Sequence, residues 1–154
     1  MRTLITTFAL VMGFAVSAQN YSDLVELVRS DLRTEHQAIV QYNLNLDGAQ
    51  SAVFTPIWDA YSGELKKHWD KRIQLVKDYA NDYQTMNDEA AAALLKRMSS
   101  LEKENLKLRD KYAKQLAKVL PTTVAARWVQ IERRLNMLME LQLANEIPLM
   151  PKTK

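Results

Sequence analysis

Past residue 20, apolar side chains recur at intervals of three and four, the spacing that keeps them on one side of an α-helix. No run alternates apolar and polar residues with β-branched enrichment, so no strand is expected. A first helix should cover about residues 21–43, carrying Tyr21, Leu24, Val25, Val28, Leu32 and Ile39, with Leu46 at the same spacing beyond it. Leu46-Asp47-Gly48-Ala49-Gln50 then reads as a stop and a new start: Asp47 can accept from the next turn while Gln50 reaches back. The second helix should run to about Tyr83 on a stripe of Phe54, Ile57, Trp58, Tyr61, Leu65, Trp69, Ile73, Val76, Tyr79 and Tyr83. Pro56 lies inside that pattern and removes a backbone donor, which predicts a kink in the first turns. The alternative is a helix that starts near Pro56 with Thr55 as its cap.

Asn87-Asp88-Glu89 opens a third helix with no interruption before Val119. Leu94, Met98, Leu101, Asn105, Leu108, Tyr112, Gln115 or Leu116, and Val119 form a heptad seam, the pattern of coiled-coil packing. Such a helix is roughly 50 Å long. Asn105 in that seam either fixes register or partner number, or marks a locally wet stretch. Leu120-Pro121-Thr122 marks the last boundary, and a fourth helix follows to about Asn145 with Val124, Trp128, Ile131, Leu135, Leu138 and Gln142 inward. Pro148 and Pro151 end it, and a frayed tail follows. The expected fold class is all-α: four helices, the second and third a long antiparallel hairpin, with the first and fourth packed along it.

The N-terminus changes the setting. A short basic start at Arg2, an apolar run from Leu4 to Val16, and small residues at Val16-Ser17-Ala18 are the signature of a secretory signal cleaved after Ala18. The run is short for a membrane span, which wants roughly 20 apolar residues. Residues 19–154 are then a single helical domain, expected in a bacterial periplasm, with secretion as the alternative. The chain has no cysteine, which excludes disulfides, thiolate metal sites and cysteine nucleophiles. An exported domain without disulfides relies on packing alone, which favours a bacterial source. Lys and Arg number 21 against 18 Asp and Glu. So slight an excess does not by itself imply nucleic acid, and no nucleic-acid partner is expected.

The layout resembles the Spy/CpxP group of bacterial periplasmic proteins, the LTxxQ-motif family, which carry a Leu-Thr-x-x-Gln element at helix starts. Leu46-Asp47-Gly48-Ala49-Gln50 looks like that element with Asp replacing Thr as cap. Met86-Asn87-Asp88-Glu89-Ala90 and Leu120-Pro121-Thr122-Thr123-Val124 are looser echoes that lack the glutamine. The resemblance implies an all-helical cradle, often dimeric, acting as an ATP-independent holdase chaperone or envelope-stress accessory.

Candidate chemistry is sparse. Only His36 and His68 are present. His36 sits on the apolar side of the first helix, where a core or boundary role outweighs metal ligation. Glu64 and His68 are one turn apart and are weak metal candidates, since two ligands do not complete a site. Paired carboxylates lack the loops that build a substrate cleft, and no nucleophile elbow or phosphate-cradling glycine loop occurs. No enzyme activity and no cofactor are expected.

The end of the third helix is basic through Lys103, Lys107, Arg109, Lys111, Lys114 and Lys118, joined by Arg127, Arg133 and Arg134. This reads either as a solvated face with intrahelical partners, such as Glu104 to Lys107, or as an attraction for acidic clients or an anionic membrane surface. In Leu135–Leu143, Leu135, Leu138 and Leu141 can face inward while Met137, Met139 and Leu143 spread around the helix. That surplus suits polypeptide binding or a homodimer; alternatively the helix lies centrally in the bundle. The candidate partner-binding residues are therefore Met137, Met139, Leu143, Arg133, Arg134, Lys107, Lys111 and Lys114. Function is expected to be the binding of unfolded or envelope proteins. The alternatives are a structural or regulatory module with one defined envelope partner, or a metal-responsive protein using Glu64 and His68.

Overall fold

A computed structural model describes residues 35–151, Glu146 through its backbone alone. The expected signal segment, and the start of the first helix, lie outside the described residues. Among these the chain forms four α-helices and no strand: α1 (residues 35–44), α2 (Gly48–Asp82), α3 (Asp88–Val119) and α4 (Thr122–Glu146). None is long and apolar enough to cross a membrane.

Each junction has a local cause. Asn45, at φ 50°, ends α1 in the left-handed conformation that Asn tolerates better than most residues. Asp47 then caps α2: its Oδ1 accepts from Gln50 N at 2.8 Å, and Gln50 Oε1 accepts from Asp47 N at 3.3 Å. This is the reciprocal capping box that the Leu46–Gln50 element spells. Pro56 stays inside a helix that continues from Gly48 through Asp82. Thr55 is no cap; its hydroxyl donates back to Ser51 O at 2.9 Å. A single 3₁₀ turn, Tyr83–Thr85, separates α2 from α3. Asn87 caps α3 by accepting from Ala90 N at 2.9 Å, and Asp88 and Glu89 sit where the helix dipole favours negative charge. Leu120 takes the extended conformation that a following proline imposes, and α4 begins.

Helices α2 and α3 form the long antiparallel hairpin, and α4 folds back along α3. One core joins all four helices: Val40 and Leu44 of α1, Phe54, Trp58, Tyr61 and Leu65 of α2, Tyr112 and Leu116 of α3, and Ala125, Trp128, Ile131 and Leu135 of α4. Aromatic rings fill its centre. Tyr61 lies edge-on to Trp128 at 4.9 Å and to Tyr112 at 5.3 Å, and Phe54 stacks on Trp58 at 5.8 Å. All of this lies at the end of the molecule where α1 is present. Towards the α2–α3 turn three helices remain among the described residues, and burial there is thinner: Leu75, Tyr79, Leu101 and Leu143.

Three stripes differ from expectation. In α2 the inner face runs Phe54, Trp58, Tyr61, Leu65, His68, Leu75, Tyr79, so His68 and Leu75 are buried where Trp69, Ile73 and Val76 were expected to lead. In α3 the seam faces inward from Leu101 to Leu116, while Met98 and Val119 at its ends are exposed. In α4 the order is reversed near the C-terminus: Leu143 is buried, whereas Leu138, Leu141 and Gln142 are exposed. A helix of 3.6 residues per turn has two nearly equivalent continuations after Leu135. The tail accompanies the observed one, for Tyr79 donates its hydroxyl to Pro148 O at 2.9 Å and Tyr83 to Leu149 O at 3.1 Å. Those bonds tie the start of the expected frayed tail to α2 and to the turn that follows it.

Candidate functional sites

Three places gather the polar and exposed apolar groups that could carry a function. The first is internal. Glu132 is 4% exposed, and its two oxygens are claimed by different helices. Tyr61 donates its hydroxyl to Oε2 at 2.6 Å, and His36 Nε2 lies 2.9 Å from Oε1. His36 also stands edge-on to Trp58 at 5.1 Å. Burial, followed by the Glu132 charge, holds the Tyr61 phenol well above its ordinary pKa, so it remains a donor. Glu132 thus ties α1, α2 and α4 together; its two oxygens are both occupied, and His36 is the boundary histidine that its sequence position implied. Reading the sequence alone missed Glu132. The signal was its place four residues after Trp128 and three before Leu135, on the inner stripe.

The second place is the groove between α2 and α3, a cavity of about 350 Å³ lined by Glu64, Lys67, His68, Lys71, Glu104, Lys107, Leu108 and Lys111. It unites residues from two separate expectations: Glu64 and His68 as metal candidates, Lys107 and Lys111 as partner contacts. Two cross-helix ion pairs close its ends, Lys71 to Glu104 at 2.8 Å and Lys111 to Glu64 at 2.6 Å. Tyr112 also donates to Glu64, at 2.8 Å. The Lys111 and Tyr112 hydrogen bonds hold the Glu64 carboxyl below its ordinary pKa, and the Lys71 bond does the same for Glu104. Glu104 therefore bonds across the hairpin to Lys71; the intrahelical partner expected for it was Lys107. Burial pushes the His68 imidazole down, towards its neutral form, and its Nδ1, shut off from solvent, has no hydrogen-bond partner among the described residues. Glu64 and His68 belong to no group of three metal-binding side chains among the described residues. The lysines around them also oppose a cation.

The third place is the outer side of α4. Met137, Leu138 and Leu141 are 67%, 60% and 60% exposed, and Arg133 and Arg134 are exposed one turn before them. These positions, four, three and three or four residues apart, share one side of the helix. Of the expected partner contacts, Met137, Arg133 and Arg134 meet here. Leu143 does not, being buried, and Met139 is half-buried against the bundle. Lys114 is exposed on α3. Leu138 and Leu141, expected to face inward, take the surface role instead. Asn105 Nδ2 donates to Asn136 Oδ1 at 3.0 Å, and Asn136 Nδ2 donates to Glu140 at 2.9 Å. The seam asparagine thus joins α3 to α4 within one chain. The same pairing sets the antiparallel register that brings exposed Leu95 and Met98 to the end of the molecule where Leu141 lies.

Comparison with protein-family models, with curated proteins and with solved structures gave no match.

Proposed function

We propose that the chain is a binding protein for other polypeptides, an ATP-independent, chaperone-like component of the bacterial periplasm, akin to the Spy/CpxP group. The observation that carries this reading is the stripe of Met137, Leu138 and Leu141 beside Arg133 and Arg134. Large apolar side chains left at 60% exposure or more on consecutive turns are costly in water unless a partner covers them. Methionine and leucine accept partners of varied shape, and the two arginines add attraction for acidic segments. Leu95 and Met98 extend the apolar surface at the same end. The capping box at Asp47 and Gln50 is what supports the family likeness, and the N-terminal sequence is what supports export.

The test is suppression of aggregation of an unrelated, chemically denatured protein by the chain lacking residues 1–18, at stoichiometric dose and without nucleotide. Suppression should fall several-fold in Leu138→Glu/Leu141→Glu while the unfolding midpoint stays near that of the unsubstituted chain. Equal suppression by both proteins removes the stripe from the account. No suppression by either favours a module with one defined partner.

A further inference from the structure

We propose that the α2–α3 groove is a binding site for a compact dianionic oxyanion, a phosphate group, held between Lys67 and Lys107 above the buried His68. The two helices run antiparallel, and their ion pairs fix the register: Lys71 faces Glu104 at one end, and Glu64 faces Lys111 seven residues away on each helix. Midway between these two bridges, α2 presents Lys67 and His68 and α3 presents Lys107 and Leu108. The ends of the groove are thus neutralised by the chain itself, and its middle is not. Lys67 and Lys107 are exposed on opposite rims and make no ion pair among the described residues; Glu64, one turn from Lys67, is already bonded to Lys111.

Beneath them His68 is only 6% exposed and lines the cavity, so its ring lies where it can report on what enters the groove. Two like charges at one level of a helix pair repel. An anion in the groove relieves the repulsion between the lysines. Two unpaired ammonium groups match a dianion in charge, and lysines bind phosphate oxygens as point charges. A cation has no such welcome here, because each carboxylate is already bonded to a lysine. The groove lies on the α2–α3 face, so the proposal stands or falls independently of polypeptide binding at α4.

The experiment titrates inorganic phosphate into the chain lacking residues 1–18, with chloride adjusted to constant ionic strength. The readout is the side-chain ¹⁵N signals of its only two histidines. The His68 signal should move saturably and the His36 signal should not. Lys67→Gln/Lys107→Gln should weaken the phosphate response by about tenfold or more. Without phosphate and at low salt, the same variant should unfold at or above the wild-type temperature, since it relieves a repulsion. Phosphate acting no differently from chloride, or the double variant responding like wild type, overturns the site. Vesicles of phosphatidylcholine with and without phosphatidic acid identify the source. Co-sedimentation that needs phosphatidic acid and both lysines points to a lipid headgroup, and a phosphate response without it points to a free phosphate.

Discussion

The buried carboxylate at the centre of the bundle sets up a strongly non-additive pair of substitutions. Tyr61 is 2% exposed and Glu132 4%, and their 2.6 Å hydrogen bond crosses from α2 to α4. Tyr61→Phe removes the donor and leaves the carboxylate with His36 alone, which should cost about 1.5–3 kcal/mol, the range for a hydrogen bond to a charged group. Glu132→Leu strands the buried Tyr61 hydroxyl without its acceptor, at a cost of about 1–3 kcal/mol. His36, 14% exposed, can turn to solvent. Combining the two replaces both partners by apolar groups of similar shape, so the double variant should lie within about 1 kcal/mol of wild type. The coupling is then about 1.5–6 kcal/mol, well above the roughly 0.5 kcal/mol scatter of independent sites. Urea unfolding followed by helical ellipticity measures it, provided the slope is unchanged among the four proteins. A double variant that costs the sum of its singles would show that the bond carries no net coupling and refute the reasoning.

Other outcomes follow from the same structure. Phe54→Ala opens a cavity in the aromatic cluster at a residue 1% exposed and should cost about 3–5 kcal/mol in the same unfolding assay. Asp47→Ala removes both the cap and the family-like element and should cost about 1 kcal/mol, whereas Asp47→Thr should retain most of it. Stability should fall on acidification in two stages. His68 is held low by burial, so the folded state binds fewer protons than the unfolded one, and stability declines as pH falls below the ordinary histidine range. Glu64 and Glu104 are held low by the hydrogen bonds already described, and Asp78 of α2 by those from Gln74 and Arg97, so their contribution is present above the ordinary carboxylate range and is lost as pH falls through it. His68→Gln should flatten the first stage alone, as read from midpoints between pH 7 and 5.

Much of the fold was legible because caps and breaks are local. Asp47 with Gln50, Asn87, and Leu120 before Pro121 each act within a few residues, and each places a helix end near where the sequence puts it. The inner faces were less legible, for two physical reasons. His68 and Arg72 interrupt the apolar seam of α2, so the eye follows Trp69 and Ile73, which are only half-buried. In α4 leucines and methionines occupy several sides, and hydrophobicity alone cannot choose between Leu138 and Leu143; bonds from Tyr79 and Tyr83 to the tail accompany the outcome. Glu132 escaped notice because a lone acidic residue on a greasy stripe reveals its purpose only with partners from two distant segments, 96 and 71 residues away. The groove had the same obstacle: its lysines and its histidine were visible, but not that α2 and α3 bring them to one level.

What covers the outer face of α4 decides whether the protein grips other chains. Leu24, Val28 and Leu32, earlier in the sequence, have the helical spacing to compete for that role. A photo-reactive residue substituted at Leu138 separates the occupants when the chain lacking residues 1–18 is irradiated with a denatured, unrelated protein. The account predicts cross-links to the denatured protein that vanish once that protein has refolded. Cross-links confined to residues 19–34 of the same chain, at every concentration of added protein, would contradict it.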